Sequence, residues 1–178
     1  MPSDRYALEI PFPEYAFVPG QHPHPISDPR GHSYGKSNEV PEPLNPDHPE
    51  GSRPFLFAID LFNAGYYWEA HETWEGLWIA AGRSGTVAEM LKGLIKLAAA
   101  GVKARQGQLE GVRRHAKRAT ELFAMVQSTL VDDRGDFAGL VVNEMVRNAL
   151  SLFEQPIVNE TQSQGGLPVL PFQLTPHR

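Results

Sequence analysis

The sequence predicts an all-α fold, a compact bundle of about five helices in antiparallel hairpins, with an extended proline-rich N-terminal arm and a short C-terminal tail. Three observations carry that expectation. Ten of the sixteen prolines lie at or before Pro46, Pro49 and Pro54 follow, and none recurs until Pro156. Between Pro54 and Pro156 the apolar residues recur at helical spacing. The stretches between those periodic segments are short, which makes neighbouring helices antiparallel.

Residues 1–53 form the arm. Proline fixes φ, removes a donor and keeps its predecessor extended, so no long helix fits there. Tyr6, Phe12, Tyr15, Phe17, Val18 and Tyr34 are costly to leave in water, so the arm is expected to lie on the body. Residues 54–153 form the helical domain. Its first helix runs from Pro54 to Ala64, with Phe55, Leu56, Ile59 and Phe62 as the apolar stripe and Gly65 as the stop. The second runs from Tyr66 to Ala81 and closes at Gly82. The third starts at Thr86, where Glu89 three residues on suggests a capping box, and ends near Gly107. It is apolar over most of its surface, which makes it the central helix. The fourth spans Leu109–Leu130, with Val112, Ala116, Ala119, Phe123 and Val126 inward. The fifth spans Phe137–Phe153, after a polar turn at Asp132–Asp136. Residues 154–178 read as an irregular tail.

Composition removes several function classes. A net charge of −5 gives no overall pull towards nucleic acid. The absence of cysteine excludes disulfides and thiolate chemistry. No apolar run is long enough to span a bilayer, and MPSDRYALEIPFPEY lacks the blocks of a signal peptide. The expected location is the cytoplasm. No P-loop, GxGxxG, GxSxG or paired CxxC motif is present.

Chemistry concentrates on the second helix, in YYWEAHETWEGLW. On a wheel of about 100° per residue, Leu77, Ala70, Ala81, Trp74, Tyr67 and Trp78 form one apolar arc. His71 sits at its edge and Glu75 follows on the same face. Trp68 and Ile79 lie beyond, so aromatic and apolar surface brackets the pair. Glu72 and Glu69 continue round the polar flank. A carboxylate among rings is partly desolvated and calls for a partner, whether an imidazolium, a lysine or a metal. Lys96 on the third helix is placed to reach Glu75. The metalloprotease pattern H-E-x-x-H is absent, because His71-Glu72 is followed by Thr73-Trp74-Glu75. The paired Glu-x-x-His pattern of di-iron bundles is absent too.

The arm brings His22, His24 and His32, with Asp28 between them. Alternate residues of an extended segment point to one side, so His22 and His24 can converge. If the arm crosses the second helix, His24 or His32 would complete a divalent-metal site with His71, Glu72 and Glu75. Read plainly, these are polar residues of a proline-rich loop. Lys92, Lys96 and Lys103 form the polar edge of the third helix, and Arg113, Arg114, Lys117 and Arg118 make a basic run on the fourth. Such a run can meet phosphates, but the negative total favours a solvated face.

The segments FNAGYYWEAHETWEGLW and LKGLIKLAAAGVKARQGQLEGVRRHAKRATELF resemble the bacterial and archaeal family called domain of unknown function 309. The matching residues are Gly65, Glu69, Ala70, His71, Glu72, Glu75, Trp78, Gly93, Leu94, Ile95, Leu97, Ala98, Gly107 and Gly111, within residues 55–125. The EAHExxE element is the most specific of them. The resemblance implies a bundle of helix hairpins somewhat like a tetratricopeptide array, and it implies no activity. Lys96 stands where the family has glutamine, Lys103 where histidine is common and Gln108 where asparagine is typical.

Three roles follow. The first is a binding or interaction module for a small molecule or protein, compatible with a homo-oligomer, whose groove involves Trp68, His71, Glu72, Glu75, Trp78 and Lys96. The second is a metal-assisted, hydrolase-like enzyme with Glu75 as base or ligand, His71 as ligand or proton shuttle and Glu72 as further ligand. The third is a purely structural His–Glu seam between helices.

Overall fold

The computed structural model describes residues 5–36, 39–130, 135–159 and 166–177. Five helices carry the fold: α1 Arg53–Asn63, α2 Tyr67–Ala80, α3 Thr86–Arg105, α4 Leu109–Thr129 and α5 Val142–Glu154. Each packs chiefly on its neighbours in sequence. α3 lies between α2 and α4 and buries residues on most of its circumference, as its composition requires.

Local chemistry sets the boundaries. Pro54 occupies the first turn of α1, where its missing N–H costs nothing, and Gly65 takes φ 84° to reverse the chain. The α1 stripe of Phe55, Leu56, Ile59 and Phe62 is buried throughout. Burying a side chain of that size stabilises by about 1.5–3 kcal/mol. Val112, Ala116, Ala119, Phe123 and Val126 of α4 face the core, again as their spacing demands.

Two expectations fail locally. Thr86 does not cap α3: Gly85 holds the N-cap position, and no side chain bonds the helix end there. The fifth helix begins later than Phe137. Asp136–Phe137 (β1) and Leu140–Val141 (β2) pair as a short antiparallel hairpin, and α5 starts only at Val142. Ala138 and Gly139 take φ 52° and 75°, the doubly left-handed turn that matches strand twist. The proposed polar turn at Asp132–Asp136 lies largely outside the described residues.

The described parts of the arm lie on α1 and α2, and those of the tail on α1, α2 and the end of α3. Asp60, in the middle of apolar α1, accepts the amides of Tyr6 (2.9 Å) and Ala7 (2.8 Å) and pairs with Arg5 (3.6 Å). Phe12 stacks on Tyr66 and Phe57. Asn63 makes two 2.8 Å hydrogen bonds with the backbone of Leu174. The Tyr67 hydroxyl accepts the amides of Val169 (2.9 Å) and Leu170 (3.1 Å). Leu170 and Leu174 join the core.

Candidate functional site

α2 carries three glutamates and a histidine in three surroundings. The first surrounds His71. Its Nδ1 lies 3.2 Å from Glu72 Oε1, so the ring donates to the adjacent carboxylate and not to Glu75. In the neutral ring that hydrogen bond leaves the Nε2 lone pair free. One donor atom each from His71, Glu72 and Glu75 falls within a 4.8 Å group, and all three residues are half-buried. Among the described residues no other set of His, Asp and Glu converges so closely.

The second surrounds Glu75 on the side of α3 and α4. Among the described residues no ion pair joins Glu75 to Lys96, but the two feel each other. Burial and then Lys92, Arg118 and Arg114 lower the Lys96 pKa, and Glu75 opposes them. His115 is pushed down to about 4, by burial first and then by Lys96, Arg114, Lys103 and His71. Trp78 is not an open aromatic wall: the Lys92 ammonium sits 3.9 Å from its ring centre and the Arg83 guanidinium 5.7 Å. Trp74 is fully buried in the core.

The third surrounds Glu69, and here the wheel misleads. Glu69 was expected on a polar flank, yet it is only 6% exposed. The arm covers it. Its Oε1 accepts the Phe17 amide at 2.8 Å and meets His32 Nε2 at 3.1 Å. No hydrogen-bond donor among the described residues reaches Oε2. His22 Nδ1 and Arg105 Nε are likewise buried without a hydrogen-bond partner, and both groups feel Glu69 electrostatically. Burial lowers the His22 pKa, with Glu69 opposing and Arg105 assisting. An unpaired buried polar atom costs about 1–3 kcal/mol, and a charged one more.

The arm histidines therefore serve α2 differently from the metal-site expectation. His32 reaches Glu69. His24 packs edge-on against Trp68 and Phe17, and its Nδ1 accepts the amides of Ile26 and Ser27 at 3.3 Å. Neither joins the group formed by His71, Glu72 and Glu75. The sequence does not single out Asp60 or Arg105; Asp60 is a charge inside an apolar helical run, which was the available signal, whereas Arg105 ends α3 among polar residues and gave none.

A pocket of about 380 Å³ opens between the arm and the outer side of α1 and α2. The arm contributes Pro13, Ile26, His32 and Pro41; the helices contribute Phe57, Leu61, Trp68, Glu69, Glu72, Thr73 and Gly76. Trp68, Glu72 and His32, all singled out from sequence, line it, whereas His71, Glu75, Trp78 and Lys96 do not. Glu72 joins the two arrangements, with its carboxylate on His71 and its side chain on the pocket wall.

Residues 55–115 match the model of the family described as Domain of unknown function (DUF309). Over that span the chain is similar to the DUF309 family. The match includes most of α1, all of α2 and α3 and the start of α4. Asp60, Glu69, His71, Glu72, Glu75, Lys96 and Arg105 thus lie in the matched span, and the arm and tail residues that meet them lie outside it. No curated protein matches the chain. Close approach explains two of the DUF309 glycines. A Cβ on Gly93 would fall 2.4 Å from the Phe123 ring, and a side chain on Gly111 would meet the stem of Lys103 at 2.8 Å.

Proposed function

We propose that this protein is a cytoplasmic binding module that takes a small molecule in the pocket between its arm and α2. The observation that carries this reading is the pocket itself. Its volume of about 380 Å³ falls within the range of about 300–1,000 Å³ usual for ligand sites. Its walls are mostly apolar with a few polar groups converging, which is how such sites combine affinity with orientation. The side chains on α2 do not supply a nucleophile, a base and an orienting group in one chain, so binding needs fewer assumptions than catalysis. The test is a fragment set of mixed charge, followed by ligand-observed NMR on the full chain and on Gly76→Phe. Binding to the native protein and its loss in the folded variant is expected. Absence of binding by any fragment, or binding untouched by the substitution, would overturn the reading.

A second reading rests on a different observation, the grouping of His71, Glu72 and Glu75 within 4.8 Å. Three protein donors with a remaining open position are what a catalytic divalent metal needs. His71 would bind through the nitrogen left free by its bond to Glu72, and Glu75 would act as ligand or base. Elemental mass spectrometry of the purified protein beside His71→Ala checks it. Stoichiometric metal lost in the variant is the expected result, and metal absent from both after supplementation would remove this reading.

A further inference from the structure

We infer that the ligand of this pocket is a small organic cation, an amine carrying an apolar body. The inference rests on the binding reading above and names the ligand class. Glu39, Glu69 and Glu72 line the pocket, and among the described residues no lysine or arginine does. Such a site repels carboxylates and phosphates and attracts an ammonium.

Glu69 supplies the decisive detail. It is a carboxylate 6% exposed, with Oε1 occupied by the Phe17 amide and His32 and Oε2 left without a hydrogen-bond donor among the described residues. Oε2 is closed to solvent, so the carboxylate acts on the pocket through its field, which favours a cation there. Arg105 feels Glu69 but lies off the pocket lining, and its Nη2 donates to the Leu167 carbonyl at 2.6 Å. The cation is organic and not a metal ion. Glu69 and His32 find no third His, Asp or Glu close enough to share a metal among the described residues. The rest of the lining suits a carbon skeleton: Phe57, Leu61, Trp68 and Pro13 are apolar, and the ring faces of Phe57 and Trp68 attract cations.

Calorimetric titration of the full chain with three matched compounds tests this. They are phenethylamine, 2-phenylethanol and 3-phenylpropionate, which share a body and differ in their head group. The amine is expected to bind at least about ten-fold more tightly than the alcohol, and the carboxylate not at all. Glu72→Gln, which leaves the arm contacts of Glu69 in place, is expected to narrow the amine's advantage over the alcohol. Equal or tighter binding of the alcohol or the carboxylate would overturn the cation assignment and leave the pocket a ligand site. Failure of the amine to bind would overturn it as well, and the mixed-charge fragment set then decides separately whether the pocket binds anything.

Discussion

Glu69, Glu72 and Glu75 stand within two turns of one helix, and each meets a different environment. Glu69 is covered by the arm, Glu72 is shared between His71 and the pocket, and Glu75 feels Lys96 of α3. Lys96 also acts on His115 of α4, whose burial and cationic neighbours hold its pKa at about 4 against an ordinary 6.5. In the unfolded chain it recovers the ordinary value. Between about pH 6.5 and about pH 4 the unfolded state therefore binds a proton that the folded state refuses. Stability rises with pH across that window and is lost as pH falls through it, and His22, lowered by burial, works in the same direction. His115→Gln is expected to flatten the dependence of the melting temperature on pH between those limits. An unchanged slope would contradict the assignment. At this scale the sequence revealed residue types and facing but not neighbours. The wheel placed His71 and Glu75 together correctly in angle, yet the imidazole swings to Glu72, and Glu69 acquires its partners from residues 17 and 32, which no helical projection contains.

Helices were the most legible elements, because apolar period, proline and glycine all agree along residues 53–129. The hairpin before α5 was not legible. Its turn is Ala138–Gly139, and alanine in the left-handed region gives none of the Asn-Gly or Asp-Gly signal of such turns. The Gly85 cap of α3 was hidden by the Thr86/Glu89 pattern beside it. Two helical glycines make a test of packing at this scale. A Cβ on Gly101 would meet the Tyr67 ring at 2.4 Å, so α2 and α3 would have to separate. Gly101→Ala is expected to destabilise by about 1–3 kcal/mol despite the better helix propensity of alanine. A Cβ on Gly76 meets only Pro41, at 3.6 Å, an ordinary contact. Gly76→Ala is expected to stabilise by up to about 1 kcal/mol. Urea denaturation of both variants reads the two signs, and equal shifts in one direction would show that close approach is not what the glycines serve.

At the scale of the molecule, the buried polar groups of α1, α2 and α3 point outward from the helices to irregular segments. Asp60 and Glu69 hold the arm; Asn63, Tyr67 and Arg105 hold the tail. A tail treated as an appendage in the sequence thus satisfies groups the helices cannot. Its contacts to the side chains of Asn63, Tyr67 and Arg105 were not legible because each joins residues more than sixty positions apart. No helix among the described residues is long and apolar enough to cross a membrane. Ending the chain at Asn159 would strand three buried polar side chains and uncover the surface beneath Leu170 and Leu174. At about 1–3 kcal/mol for each stranded group, the truncated protein is expected to unfold at distinctly lower urea concentration. A midpoint unchanged from the full chain would mean that the tail contacts contribute no net stability.

Asp60 and Asn63 are three positions apart on α1, about 4.5 Å along the helix axis, and they grip residues 6–7 and residue 174. One helical turn therefore serves as a mooring for both peripheral segments. A pull on either segment is therefore borne by the same turn of α1, so loosening that turn would release the arm and the tail together.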